Sequence, residues 1–550
     1  MVYSERIQLT ASSDIELIKK QFQESIQESE KDSKTSYQEQ LELEEELKKY
    51  TEDFSPYPYF LLAYKLGVSD IRILPYPKGN NKEKDRSELL FKIDGFWEKV
   101  TTFSRNKHVL YINAIKNWAI KGAGNLSPDN QRISQDGKGI LHILSQTKEV
   151  EKTIQLRIAT VPQHIKDDNG TPLELCVIRL LDGSGNPTLE QAWFSKYDYK
   201  KILATGKEKK GLILISGPTG SWKSSTLFWY IDKLNDGTRN IITFENPVEF
   251  DVPGISQIEI NPKEDISDED EVTLNFSRSK DFAMRAAPDI LLVWEMRNYY
   301  TAEAGVTFAN TWHLALATIH TNSVLETIGR LLWMKKGEDK LDKILVLTIL
   351  KYVSAQMLVP SLCPHCKIKV KDINPDEGDI VWKEHYTRVL EEIKVQRMLI
   401  KKELLLPNVL RIFPALDEAK IDSWIDNSYV ENINGCEYCM KREENQPVKS
   451  KMGRKGRALI NETLIFDSYV IEKMSVEPYS KKRVLHELLE IRPTLGKDEE
   501  GYIGEDKKHF FTLYQDAIFK AILPSKIYNQ IYMNERDHAI TILDALTYWK

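Results

Sequence analysis

The 550-residue chain balances 76 Lys and Arg against 82 Asp and Glu, and 41% of its residues are hydrophobic. That length accommodates roughly three to five domains with sizeable cores, and a formal charge of -6 offers no basic field of the kind that attracts nucleic acid. No apolar run is long enough to cross a bilayer and Met1 to Lys20 holds no apolar signal segment, so the sequence predicts neither a membrane span nor a secretory signal, and a cytosolic location by default.

Residues 1–54 are rich in Glu, Lys, Gln and Ser, with Ile15, Ile18, Phe22 and Ile26, then Leu43, Leu47 and Tyr50, at helical spacing. They read as a charged helical segment whose apolar stripe is either a solvated face or a docking surface. Residues 55–195 have a mixed α/β texture, with strands expected near 88–93, 153–160 and 173–181. Residues 196–362 alternate short apolar strands with helices, as a parallel sheet requires. Residues 363–470 hold two cysteine pairs around a charged helical insert, and residues 471–550 form a helical C-terminal region.

The chemistry concentrates in the third segment. An apolar strand from Gly211 runs into Gly217-Pro218-Thr219-Gly220-Ser221-Trp222-Lys223-Ser224-Ser225, followed by a helix. Strand, Gly-rich turn and helix form a phosphate-binding loop: backbone N–H groups cradle phosphates, Lys223 reaches the outer phosphates, and the Ser224 hydroxyl serves Mg²⁺. Trp222 departs from the pattern, standing where it has the glycine that lets the backbone approach phosphate. Downstream, Ile241 to Phe250 is a strand ending in the acids Glu245 and Glu249, and Pro288 to Glu295 is another ending in a carboxylate. Parallel strands deliver such groups to the phosphate edge, where Glu295 would polarise the attacking water directly or through Mg²⁺. His313 and His320 bracket a further strand and read as structural residues or as γ-phosphate sensors.

Of five cysteines, Cys363, Cys366, Cys436 and Cys439 form two C-x-x-C pairs. Two such pairs in a reducing compartment suit a tetrahedral Zn²⁺ site; unpaired thiols or a redox pair are the alternatives. Cys176 lies in strand-like sequence and reads as a small core residue.

Taken in order, these motifs resemble the hexameric ATPases of type II secretion and type IV pilus assembly over roughly residues 56–525. That resemblance implies a RecA-like P-loop core, an N-terminal α/β (PAS-like) domain and a tetracysteine zinc module. It implies a homohexameric ring, cytoplasmic and held at the inner membrane by a platform protein, that converts ATP hydrolysis into domain motion. Ser69-Asp70-Ile71, Ile93-Asp94-Gly95 and Gln135-Asp136-Gly137 match the N-terminal domain, and Arg157 and Arg179 stand where its arginines close over the nucleotide. The bland alternative for both is a surface arginine on a strand edge. The zinc module favours assembly over retraction; a retraction or DNA-uptake motor, or a non-hydrolysing ring subunit, are the alternatives. Asn246 replaces the second acid of the Asp box.

Trp193, Trp222, Trp294 and Trp312 all occupy positions where this family carries glycine, although only 11 of 550 residues are tryptophan. Two readings follow: a degenerate subunit that has lost its glycines, or native glycines encoded by UGA in a lineage that reads that codon as glycine. Retention of Lys223, Ser224, Glu295, His313 and His320 favours the second.

Overall fold

In a computed structural model the described residues are 56–76, 86–93, 96–119, 133–144, 150–167, 170–181, 194–245, 252–260, 285–336, 338–410, 413–436, 453–476, 479–489 and 511–524, with a few isolated positions including Cys439. The helices expected in residues 1–54, and Glu249 and Trp193, lie outside them. The chain divides into two compact units, built mainly on the segments before and after Gly185.

The first unit is a wholly antiparallel six-stranded sheet, β1 (Asp70–Pro75), β2 (Arg86–Ile93), β3 (Phe96–Ser104), β4 (Gln135–Leu144), β5 (Val150–Lys166) and β6 (Pro172–Leu181), in the order β3-β2-β1-β6-β5-β4. Alternation of apolar and polar residues gives it two unlike faces. Ile71, Ile73, Leu89, Phe91, Leu156, Ile158 and Ile178 share one core with Phe60 of helix α1 (Tyr57–Lys65) and with Ile112 and Ile115 of α2 (Arg105–Trp118). Cys176 is fully buried in that core, as its strand context suggested.

The second unit opens with α3 (Lys196–Thr205) and contains a seven-stranded sheet: β7 (Gly211–Ser216), β8 (Ile241–Glu245), β9 (Ser256–Glu259), β10 (Ile290–Glu295), β11 (Leu314–Ile319), β12 (Leu350–Leu362) and β13 (Arg454–Ile465). Their order is β13-β12-β7-β11-β10-β8-β9; every neighbour pair is parallel except β12 with β13. Continuous burial along β7, β8 and β11 is what a parallel sheet covered on both faces demands. Between the strands run α4 (Lys223–Leu234), α5 (Tyr299–Asn310) and α6 (Val324–Trp333). The cysteine segment and the C-terminal region do not stand apart as the sequence segments suggest: β13 completes this sheet, and α8 (Leu513–Ile522), which follows the long insert helix α7 (Ile380–Leu404), buries Ala517, Ile518 and Phe519 in the same core.

A buried polar network ties α3, β13 and α8 together. Ser195 caps α3 by accepting from Asp198 N and donates to its Oδ2 at 2.7 Å. Asn461 donates its amide nitrogen to Asp198 and its backbone N–H to Asp516, which is paired with Lys520 at 2.6 Å. Burial first, and then the Asp516 charge, push the Asp198 carboxyl up to about 6. The folded protein therefore holds a proton there that the unfolded chain releases near pH 4, and the stability this contributes is lost as pH rises from about 4 through 6. Asp198→Asn, which needs no proton, should gain in Tm relative to the parent as pH is raised from 5 to 7. A Tm difference independent of pH in paired melts would show that Asp198 does not titrate in this window.

Candidate functional site

Because β7, β8, β10 and β11 are parallel, their carboxyl ends form one edge. Residues 217–222 lie there, between β7 and α4. Gly217 has φ +147°, and a Cβ on it would stand 2.2 Å from Gln356 O of β12, so nothing larger fits. Lys223 starts α4, is buried, and donates Nζ to the carbonyls of Gly217 at 2.9 Å and Pro218 at 2.8 Å. His320, just beyond β11, has Nδ1 3.5 Å from that Nζ and Nε2 3.4 Å from Glu295 Oε1. Burial foremost, then the Lys223 charge, hold the His320 pKa below its ordinary value, so the ring is neutral at pH 7 despite the facing carboxylate. Glu295 thus sits within one histidine ring of Lys223, its other oxygen held by Arg297 at 2.7 Å.

Glu245 ends β8 at the same edge, fully buried, its Oε1 accepting from Thr243 and Gln257. Thr219 and Gly220 complete the exposed tip of the loop, Ser221 is buried beneath it, and Ser224 and Ser225 occupy the first turn of α4.

His313 does not join this group. It precedes β11, where its carbonyl accepts from Gly211 N and its Nδ1 lies 3.2 Å from Thr311 Oγ and 3.3 Å from Phe308 O. A six-residue strand separates it from His320 by roughly 20 Å; the two histidines bracket the strand in sequence but sit on opposite edges of the sheet. Within the first unit, Arg157 of β5 and Arg179 of β6 are direct cross-strand partners, both exposed.

The backbone bears directly on the tryptophans. Among the described residues, three non-glycine residues have positive φ: Trp222 at 62°, Trp312 at 69° and Ala287 at 48°. Left-handed backbone costs an L-residue about 1–2 kcal/mol, and glycine nothing comparable. Two of the four tryptophans flagged at glycine positions therefore adopt the conformation glycine favours. At the third, Val293 pairs with Ala317 and Glu295 with Thr318, so residue 294 is squeezed into a register shift. Trp222 is half-buried under the Arg457 guanidinium, whereas Trp312 is 71% exposed, with Lys210 over its ring.

Cys363 and Cys366, after β12, and Cys436 and Cys439 gather with ligand atoms all within 4.8 Å of one another. The Cys436 and Cys439 sulfurs are 3.8 Å apart, the spacing of two thiolates each about 2.3 Å from a tetrahedral ion. The donor set fits zinc, and all four sequence-flagged cysteines contribute to it.

Arg297 and Gln356 were not flagged as site residues. Arg297 follows Glu295 by two positions and was open to local inspection. Gln356, whose Oε1 accepts from Thr226 of α4 at 3.1 Å, comes from 130 residues away and reaches the loop only through strand order.

A parallel α/β sheet carrying a phosphate loop, a carboxylate and a histidine at its carboxyl edge defines a P-loop, RecA-like architecture. Residues 63–477 match the family described as Type II/IV secretion system protein, and the chain belongs to that family. It is 33% identical over 306 residues to the type II secretion system protein E of Pseudomonas aeruginosa, covering 56% of this chain and 53% of that one. It is 32% identical over 306 residues to the type IV pilus assembly ATPase PilB of the same species, covering 56% and 48%. The chain thus spans about half the length of these relatives. In structure it resembles the Legionella pneumophila ATPase DotB, with a TM-score of 0.51 and 17% identity over 86% of this chain and 93% of that one, a likeness of fold.

Proposed function

We propose that the chain is an ATP-hydrolysing subunit of a ring motor, a homohexamer by family resemblance, that drives type IV pilus assembly or type II secretion through an inner-membrane platform protein. The observation that carries this reading is the convergence of Lys223, His320 and Glu295 on the edge where the phosphate loop lies. Lys223 needs only to exchange two loop carbonyls for phosphate oxygens. Neutral His320 has one ring nitrogen toward Lys223 and the other toward Glu295, so it can report the state of one to the other. Glu295, once it exchanges Arg297 for a water, orients that water for attack. Ser224 and the acid at the end of β8 are the residues that would hold Mg²⁺, which supplies charge neutralisation on the phosphates. Arg157 and Arg179 supply positive charge to the transferred phosphoryl group. No described helix is long and apolar enough to cross a membrane, consistent with a cytoplasmic protein attached through its partner. Phosphate release by the purified chain bearing glycine at 193, 222, 294 and 312 tests the reading; absence of turnover overturns it.

The four cysteines serve zinc in this proposal. One Zn²⁺ per subunit is expected by elemental analysis, with Cys363→Ser losing the metal and lowering Tm, since a bound structural ion contributes folding free energy. A metal-free protein that melts like its Cys363→Ser variant would assign the cluster to another role.

A further inference from the structure

The face of the first sheet opposite α1 and α2 carries one row of side chains across all six strands. Cα partners run from Trp97 to Lys92, Lys92 to Asp70, Asp70 to Arg179, Arg179 to Arg157, and Arg157 to Lys138. Directly paired residues on antiparallel strands share a face, so Lys138, Arg157 and Arg179 stand abreast on β4, β5 and β6 at roughly 5 Å intervals. Like charges so paired repel, and the arrangement is relieved by an anion bridging them. Asp70 is the one carboxylate of this row, and it lies at the end of the cationic trio.

Its contacts are specific. Asp70 is almost buried, its side chain 8% exposed, and its Oδ1 takes Arg179 Nε at 2.9 Å. Its Oδ2 accepts from Ser69 Oγ at 3.0 Å and faces Lys92 Nζ at 3.7 Å. Arg179 remains 44% exposed. A guanidinium gripped at Nε has its plane fixed and keeps terminal N–H groups for a second partner.

We propose that Asp70 is a positioning residue: it locks Arg179 so that the guanidinium, with Arg157 and Lys138 beside it, meets the phosphate oxygens of a nucleoside triphosphate. The inference rests on the anion-binding role given to the two arginines above and extends the contact to Lys138. The sign of one measurement separates positioning from simple charge. Removing a negative charge beside an anion site strengthens anion binding if charge alone counts, whereas loss of a positioning contact weakens it.

The probe is inorganic tripolyphosphate, titrated calorimetrically into full-length protein carrying Lys223→Ala to silence the phosphate loop. Asp70→Asn is expected to weaken binding about tenfold, the scale of one charge-assisted contact. Arg179→Ala should do the same, and the double variant should be no weaker than Arg179→Ala alone. Tighter or unchanged binding in Asp70→Asn, losses that multiply in the double variant, or no binding by the reference protein would each overturn the proposal. If Asp70→Asn fails to fold, Arg179→Lys, which lacks the Nε donor, reads the same contact and should lose as much as Arg179→Ala. ATP turnover by the same substitutions, with Lys223 restored and glycine at 193, 222, 294 and 312, is measured in parallel, where Asp70→Asn should lower kcat/KM about tenfold. If none of these proteins turns over ATP, the motor reading falls, while the tripolyphosphate series still decides the role of Asp70.

Discussion

Replacing Trp222 with glycine, together with Trp294→Gly and Trp312→Gly, should raise ATP turnover by about a hundredfold or more over the chain as written. The phosphate loop works by bringing backbone N–H groups within hydrogen-bonding distance of phosphate oxygens, and residue 222 is the left-handed hinge between loop and helix, at φ 62° and ψ 21°. An indole there both strains the backbone and occupies the approach. A lost hydrogen bond to a charged group costs about 1.5–3 kcal/mol, and each 1.4 kcal/mol is tenfold, so one or two missing N–H contacts account for the expected change. The stability effects should divide by burial. Trp312 is mostly exposed, so Trp312→Gly relieves strain with little packing lost and should stabilise by about 1 kcal/mol. Trp222 is packed against the core, so Trp222→Gly trades strain for lost contacts and should leave Tm near its starting value. Steady-state phosphate release and thermal melts of the single and triple variants decide the matter. Absence of turnover even with the glycines would return the chain to the scaffold reading, equal measurable turnover with and without the indoles would show that they do not obstruct the loop, and UGG codons at 222 and 312 would make the tryptophans native.

Glu295→Gln in the glycine-bearing protein should cut kcat by about 10²–10³-fold while ATP affinity changes little. The amide keeps the shape of the carboxylate and its contact with His320 but cannot orient water as a base or anion. Lys223→Ala should instead weaken nucleotide binding itself, because Lys223 is the buried cation of the loop. The contrast in where the loss falls, in kcat or in Kd, is the informative result. A Glu295→Gln enzyme of unchanged kcat would move the catalytic role to Glu245, the buried carboxylate that ends β8 at the same edge.

Local signals carried much of this into the sequence. The phosphate loop, Glu245, Glu295 and His320 follow apolar runs directly, and parallel pairing does the rest. The two C-x-x-C pairs were readable as one candidate four-thiolate cluster because a tetrahedral ion takes four donors, and the structure gathers all four sulfurs despite the long insert between them. His313 shows where locality fails: the alternation that identified its strand says nothing about which end faces the ligand, and strand direction places it at the far edge. Arg157 and Arg179 could be assigned to strands, but their abreast register depends on pairing across β5 and β6, which no single segment encodes. Gln356 and β13 depend on sheet order in the same way. The glycine positions were legible only through motif, and the positive φ at 222 and 312 supplies an independent physical reason for them.

Strand β12 has a mechanical meaning. At Ser354 and Gln356 it lies against the root of the phosphate loop, its carbonyls meeting Ser216 Oγ and the Cα of Gly217, and its last residue, Leu362, adjoins Cys363. It pairs with both β7 and β13 up to Ala355 and with β13 alone from Gln356 to Leu362, so bending it there breaks ladder hydrogen bonds to β13. The loop and the first cysteine pair are thus the two ends of a strut about 20 Å long. Loop and cysteines are therefore linked through one strand and its ladder to β13, and the pairing irregularity between Pro360 and Leu362 interrupts that ladder just before the cysteines.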